Sequence, residues 1–226
     1  MEKAYAVSGI DTGIGKTVAT GLMARFLAAR GVDAITVKMV QTGNDGFSED
    51  IEAHRAICGG ARFPEDGLGL TAPQIFKFPA SPLLAAKLEG RKVDLAKISA
   101  AVEACSAAHS VTLVESAGGL DVPLSEDVLS ADYIAERGWP LILVTCGRLG
   151  AINHALLSLD AARMRGIRIA GVAHNTHFSD DPRLDSDARD AILRHLGKLG
   201  YPRILVPFSS IGGSAAAGPD FSEIFA

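Results

Sequence analysis

Cysteine is scarce in this chain. Cys58, Cys105 and Cys146 are spread over 226 residues, and an odd number at wide spacing argues against a disulfide framework. A histidine metal pattern is missing too: His174 and His177 lie close together, but no cysteine pair or acidic helix motif accompanies them. Basic charge is not in surplus. With 22 Lys and Arg against 26 Asp and Glu, a net charge of -4 and no basic run, the composition argues against a nucleic-acid surface or an anionic-membrane patch. No apolar run reaches membrane-spanning length. The opening "MEKAYAVSGIDTG" lacks an apolar stretch adequate for a signal peptide. The expectation is a cytoplasmic protein without nucleic-acid or membrane partners. No internal repeat or linker divides the sequence, so residues 1–226 are read as a single domain.

What is present is a rhythm of apolar runs. "AYAVS", "DAITVK", "SVTLVES", "PLILVTC", "IRIAGVAH" and "RILVPF" are mostly continuous rather than alternating, as parallel strands covered on both faces should be. Helical patterns separate them. "SPLLAAKLEG" has Ser81 as N-cap, Pro82 at the first helical position and Gly90 at its end, and Asp94 caps "DLAKISAAVEACSAAH". "GAINHALLSLDAARMRG" and "DSDARDAILRHLGKLG" are two further helices. This alternation predicts an α/β fold with a doubly wound, mostly parallel sheet. The end, "SSIGGSAAAGPDFSEIFA", is rich in small residues and reads as irregular.

"GIDTGIGKT" falls between the first strand and a helical run ending near Gly31. Gly15, Lys16 and Thr17 fit the second half of the phosphate-loop pattern G-x-x-x-x-G-K-[ST], but its first glycine stands at Gly9 rather than at position 10, which is Ile10. A glycine-rich turn is the plainer reading. The strand–loop–helix context favours a nucleotide site, because glycines let backbone N–H groups curl around an anion and the helix N-terminus adds partial positive charge. Lys16 would hold the outer phosphates and the Thr17 hydroxyl would bind Mg²⁺.

In such sheets ligands bind beyond the carboxyl ends of the strands. The second strand ends at Lys38, followed by Thr42 and Gly43 in a turn and Asp50 at the start of a helical stretch. Glu115 closes the third, and Gly118 and Gly119 permit close backbone approach. Singly, Lys38 fits a surface lysine, Asp50 a helix N-terminal charge and Glu115 an exposed strand end. Together they make one site: Thr17, Asp50 and Glu115 are a hard oxygen set for Mg²⁺, and Lys38 opposite Lys16 would neutralise charge in phosphoryl transfer.

The pieces "GIDTGIGKT", "VKMVQTG", "FPASP", "VESAGGLDVPLSED", "CGRLGAINHALL" and "HNTH", spread from residue 9 to residue 177, resemble the ATP-dependent dethiobiotin synthetases of biotin synthesis; the resemblance fades after about residue 200. It implies a ligase. One amine of 7,8-diaminononanoate captures CO₂ as a carbamate, ATP phosphorylates it to a mixed anhydride, and the second amine closes the ring. It also implies residue roles. Lys16 and Lys38 would flank the carbamate and the transferred phosphoryl group. The backbone of Thr12, Gly13, Ile14, Gly15, Lys16 and Thr17 would cradle the phosphates, with Gly118 nearby. Asn175, and Pro207 in the last strand's loop, would contact the base. Thr42 and Ser81 would lie near the substrate. The start of "GAINHALL", through Gly150, Ala151 and Asn153, would bind the substrate carboxylate in a neighbouring subunit, so the protein would be a homodimer with interface sites.

Three departures stand out. The family commonly has proline where Met39 stands and glycine where Ser116 stands, and the loop after Pro207 matches its base-binding loop poorly, which leaves another nucleoside triphosphate open. Other classes share the loop and fold. Partitioning and cell-division ATPases carry a signature lysine early in the loop, where this chain has Asp11 and Thr12. An amidotransferase synthetase would need a glutaminase domain for which no length remains. A nucleotide-binding module without chemistry would need no Lys38.

Overall fold

A computed structural model describes residues 1–178, 181–209 and 218–226 of the chain. The six apolar runs form strands β1 (Ala4–Gly9), β2 (Ala34–Lys38), β5 (Val111–Gly119), β6 (Leu141–Cys146), β7 (Ile169–Asn175) and β8 (Leu205–Phe208). They pair in the order β2-β5-β1-β6-β7-β8, and every pairing is parallel. The sheet is therefore fully parallel among the described residues, a stricter result than the mostly parallel expectation. Two short strands that the sequence pattern did not mark, β3 (Gln41–Thr42) and β4 (Ile75–Phe76), pair separately.

Helices cover both faces. α1 (Lys16–Ala28), α7 (Ala151–Met164) and α8 (Pro182–Lys198) share one apolar core with Tyr5, Val7, Leu113 and Leu143. α4 (Pro82–Leu88) and α5 (Leu95–Ala108) pack over Ile35, Val37 and Val114 on the other. Between them in sequence lie α2 (Glu49–Ile57), the single turn α3 (Pro64–Gly67) and α6 (Ser130–Arg137). α6 passed unnoticed because its eight residues are half polar. Asp94 caps α5 by accepting from Lys97 N, as its position suggested. Ser81 occupies the N-cap of α4 with Pro82 behind it, but its side chain makes no capping bond.

The chain leaves β1 toward β2 on one side and leaves β5 toward β6 on the other. This reversal opens a crevice at the carboxyl ends of β1 and β5, where a ligand is expected.

The described part of the tail has no helix or strand, as its composition suggested, but it is anchored. Residues 210–217 lie outside the described residues, and so does most of the poorly matching loop after Pro207. Beyond them Phe221, Ile224 and Phe225 are buried in the core of α1. Phe26 meets Phe221 edge-on at 5.7 Å, and Tyr5 meets Phe225 edge-on at 5.2 Å. Three apolar residues among polar ones left no period to read, yet burial of their surface is what fixes the segment. Replacing fully buried Phe221 with alanine should cost about 3 kcal/mol or more and lower Tm by roughly 10 °C in calorimetry. Asp220→Ala, which removes the exposed pair with Arg30 and the exposed bond from Ser222 N, should lower Tm far less.

Candidate functional site

The glycine loop joins β1 to α1. Gly15 caps α1 at φ 97°, a left-handed conformation that suits glycine, and Asn175 at the end of β7 fills the space where its side chain would stand. The displaced first glycine has a structural role of its own. A Cβ on Gly9 would come within 2.8 Å of Ile14 Cδ1 and 3.1 Å of the Lys16 side chain, so the lysine stem folds across the bare strand end. Lys16 Nζ then donates to the Asp11 carbonyl at 2.7 Å. Ile14 turns its side chain into the core, and its carbonyl accepts from Asn175 Nδ2 at 3.0 Å.

Register brings the distant residues together. Lys38, the last residue of β2, lies directly beside Glu115 on β5. Lys38 Nζ donates to Glu115 Oε1 at 2.7 Å and to the Ser116 carbonyl at 3.2 Å, and it pairs with Asp50 Oδ2 at 2.7 Å. Ser48 caps α2 by accepting from Ile51 N, which sets Asp50 in the first turn, pointing at the strand ends. Thr17 Oγ1 lies 2.7 Å from Asp50 Oδ1 and 3.2 Å from Glu115 Oε1. The three expected metal ligands therefore converge, and their oxygens are the hard donors that Mg²⁺ selects. The donor set fits the ion, with Lys38 held in the same cluster.

Charge state follows from these contacts. Burial pushes the Lys16 ammonium down to about 8, helped by the neighbouring Lys38 charge. Burial acts the same way on Lys38, but Glu115 and Asp50 outweigh it and hold Lys38 above the ordinary lysine value. Glu115 is completely buried, which favours its neutral form; Lys38 and His54 overcome this and keep it well below the usual carboxylate range. The site thus holds an ionised carboxylate and a firmly charged lysine next to a lysine whose charge is more easily lost.

A cavity of about 500 Å³ opens here, within the range of small-molecule sites. Thr12, Gly13, Gly15, Lys16, Thr17, Lys38, Thr42, Asp50, Glu115, Gly118 and Asn175 all line it, together with His177 and Phe178. Six expected residues stand elsewhere or contribute otherwise. Ile14 supplies backbone. Ser81 is exposed at the start of α4. Pro207 lies within β8, beside His174 in register, rather than in a following loop, and is exposed. Gly150, Ala151 and Asn153 form the start of α7, outside the cavity walls, with Gly150 at φ 87°. A larger hollow of about 670 Å³ lies at the opposite end of the sheet, near Tyr5, Tyr201 and Ile224; the arginines at its rim, Arg163 and Arg168, are exposed.

Both unusual residues beside the site have partners. Met39 N donates to the Glu115 carbonyl at 2.9 Å, a bond that proline could not make. Ser116 Oγ donates to Ser8 Oγ at 2.8 Å across the buried sheet. Two further residues carry structure that sequence reasoning missed. Asp11 accepts from Thr12 N at 2.7 Å and pairs with Arg148, tying the phosphate loop to the segment before α7. His54 lies behind Glu115, and its spacing of four from Asp50 on one helix was the available signal.

A parallel sheet with a glycine loop on its central strand and a Lys–Thr pair opening the next helix defines a P-loop nucleoside-triphosphate-binding protein. Solved structures support the fold. The chain aligns over its full length with 92% of the pNOB8 ParA chain solved bound to nonspecific DNA, at TM-score 0.57 and 14% identity. Over 93% of its length it aligns with 86% of a ParA family ATPase from Chlorobium tepidum TLS, at TM-score 0.52 and 14% identity. A family model described as an AAA domain matches residues 3–206. At the level of sequence the chain is 43% identical over 219 residues to the ATP-dependent dethiobiotin synthetase BioD of Chlorobaculum tepidum, covering 97% of this chain and 92% of that one. It is 46% identical over 175 residues to BioD 2 of Haemophilus influenzae, covering 77% and 92%. The chain belongs to the ATP-dependent dethiobiotin synthetase family.

Because bound phosphates favour the charged form of Lys16, ADP affinity without divalent ions should fall as pH rises through 8. Between pH 7 and pH 9 the loss should be about tenfold by proton linkage, with proton uptake on binding at the higher pH. Titration calorimetry in buffers of different ionisation enthalpy reads both; a flat affinity without proton uptake would show that Lys16 does not gain a proton on binding.

Proposed function

We propose that this chain forms dethiobiotin from 7,8-diaminononanoate, CO₂ and ATP, with Mg²⁺, and releases ADP and phosphate. The observation that carries this reading is Lys38. A buried second lysine, 2.7 Å from both Asp50 and Glu115 and beside the phosphate-loop lysine, is more than nucleotide binding needs. The names of the relatives at 40% to 46% identity agree with it.

An amine of the substrate adds to CO₂ and loses a proton, giving a carbamate. A carbamate oxygen attacks the γ-phosphorus of ATP and ADP departs, leaving a carbamic–phosphoric anhydride. The second amine attacks the carbonyl carbon, phosphate leaves with the bond electrons, and the amine loses its proton as the cyclic urea closes. Lys16 and Lys38 both line the cavity, and fixed positive charge where negative charge would move from carbamate to phosphate favours the transition state. The loop N–H groups of residues 12–17 orient the phosphate chain in line with the attacking oxygen. Mg²⁺, held by Thr17, Asp50 and Glu115, supplies further charge neutralisation when bound. Thr42 on the cavity wall faces the diamine end, and Asn175 with His177 borders the base.

The carboxylate end of the substrate goes to a second copy. Gly150, Ala151 and Asn153 begin α7 away from this chain's own cavity; the Ala151 N–H donates to the Arg148 carbonyl at 3.0 Å, and other N–H groups of the first turn would receive the carboxylate. The same helix exposes Leu157 and Met164, and Leu149 just before it is exposed too; this apolar surface suits a twofold contact.

The first test is turnover with labelled bicarbonate, the diamine, Mg²⁺ and a triphosphate. Acid-stable label that requires both diamine and ATP is expected, with CTP and GTP run alongside to rank the base. Hydrolysis without label would reopen the switch-ATPase reading. Lys38→Ala should abolish turnover, by about a hundredfold or more, while ATP still binds; full turnover would remove Lys38 from the mechanism. Sedimentation should find a dimer that Leu157→Arg dissociates with loss of turnover. A fully active monomer would sink the interface site.

A further inference from the structure

A chain of buried polar groups runs behind the carboxylates. His54 has no exposed surface, and its Nε2 lies 2.8 Å from Glu115 Oε2 while Nδ1 lies 3.0 Å from Thr36 Oγ1. Arg55 Nη1 donates to that same Thr36 oxygen at 2.7 Å. The rest of the guanidinium is fixed by Asp66, with Nε donating at 2.9 Å and Nη2 at 2.7 Å. The Thr71 hydroxyl and Phe63 N in turn donate to Asp66. The sequence of contacts is Asp66, Arg55, Thr36, His54, Glu115, and it ends at Lys38 and Thr17.

The partners dictate the direction of each bond. Glu115 is ionised and can only accept, so His54 Nε2 carries a hydrogen and donates it. Arg55 has only donors, so it occupies an acceptor position on Thr36, and when His54 carries its single hydrogen on Nε2 the Thr36 hydroxyl donates to Nδ1. The two oxygens of Glu115 are therefore divided. Oε2 is taken from behind by the imidazole, and Oε1 faces Lys38 at 2.7 Å and Thr17 at 3.2 Å. With Oε2 engaged by the imidazole and Oε1 by Lys38 and Thr17, the carboxylate is held in one orientation.

We propose that His54 is a positioning residue for the nucleotide site: by clamping Glu115 Oε2 it presents Oε1 to the Mg²⁺–phosphate end of the cavity. The inference rests on the reading of Glu115 as a metal ligand. A buried histidine that merely fills space would need its shape and not its Nε2 hydrogen. Asp50 reaches the cavity from the same helix four residues earlier, so α2 supplies one ligand and steadies the other.

Two substitutions separate these roles. His54→Phe keeps the volume and removes the donor, whereas His54→Gln keeps an amide N–H near the Nε2 position. ADP binding is measured by calorimetry with Mg²⁺ and with chelator, and turnover is measured in parallel. His54→Phe should weaken Mg²⁺-dependent ADP binding by about ten- to a hundredfold, as loss of a partner to a metal ligand does elsewhere, and leave metal-free binding unchanged. kcat should fall while KM for the diamine holds, and His54→Gln should recover most of both. A folded His54→Phe protein with the wild-type response to Mg²⁺ would overturn the proposal, as would a glutamine variant no better than phenylalanine. Should His54→Phe not fold, Thr36→Val takes its place: it leaves the ring intact and frees Nδ1, together with Arg55 Nη1, whose other partner Asp66 still holds it. A smaller loss confined to the Mg²⁺ arm is expected, and an unchanged Mg²⁺ response would again overturn the proposal. If the wild-type protein binds Mg²⁺–ADP and yet makes no dethiobiotin, the functional reading fails and the binding comparison still decides His54.

Discussion

The ion cluster of Lys38, Glu115 and Asp50 is the constraint on which the rest of the site depends. A lysine and a glutamate without solvent would each be costly alone, and burial of such groups is tolerated only when charges and hydrogen bonds are matched. Parallel register does the matching here. Lys38 and Glu115 are side-by-side partners on β2 and β5, so their separation is set by the sheet and not by flexible side chains. Asp50 then arrives from a capped helix to balance the lysine. The result is a charge arrangement fixed by the fold in the absence of ligand, and preorganised charge of this kind is the usual source of electrostatic catalysis.

The phosphate loop depends on the same economy of space. Gly9 lets the Lys16 stem cross the strand end, Gly15 admits Asn175, and Asn175 in turn holds the Ile14 carbonyl. Lys16, in this tight setting, is partly stripped of water and holds its proton less firmly than Lys38. The two lysines are chemically alike and electrostatically different: one is fixed by carboxylates, whereas the other donates to the Asp11 carbonyl. Membership of a dethiobiotin synthetase family fits a site with two such cations. The ParA likeness, at 14% identity, speaks only to the shared fold.

Departures from the family pattern proved to be accommodated locally. Met39 adds a backbone bond to the Glu115 carbonyl, and Ser116 finds Ser8. Neither disturbs the cluster. The burial of the tail against Phe26 and Tyr5 stabilises the far end of α1, the helix whose near end carries Lys16 and Thr17. No helix among the described residues is long and apolar enough to cross a membrane.

The main strands, the phosphate loop, Lys38 as a strand end and Asp50 as a helix start were legible in the sequence; Glu115, read as closing its strand, lies instead in the middle of β5, which runs on to Gly119. Strands and loop were legible because buried parallel strands need continuous apolar runs, and an anion loop needs glycines at a helix start. The short strands β3 and β4, helix α6 and the anchored tail were not, since each is short or mixed in composition and owes its conformation to what it packs against. Sequence alone determined which groups stand where the chain turns. Only the tertiary structure decided that Lys38 touches both carboxylates, that His54 stands behind Glu115 and that Pro207 lies in a strand, because strand order and register are properties of the assembled sheet and no local pattern encodes them.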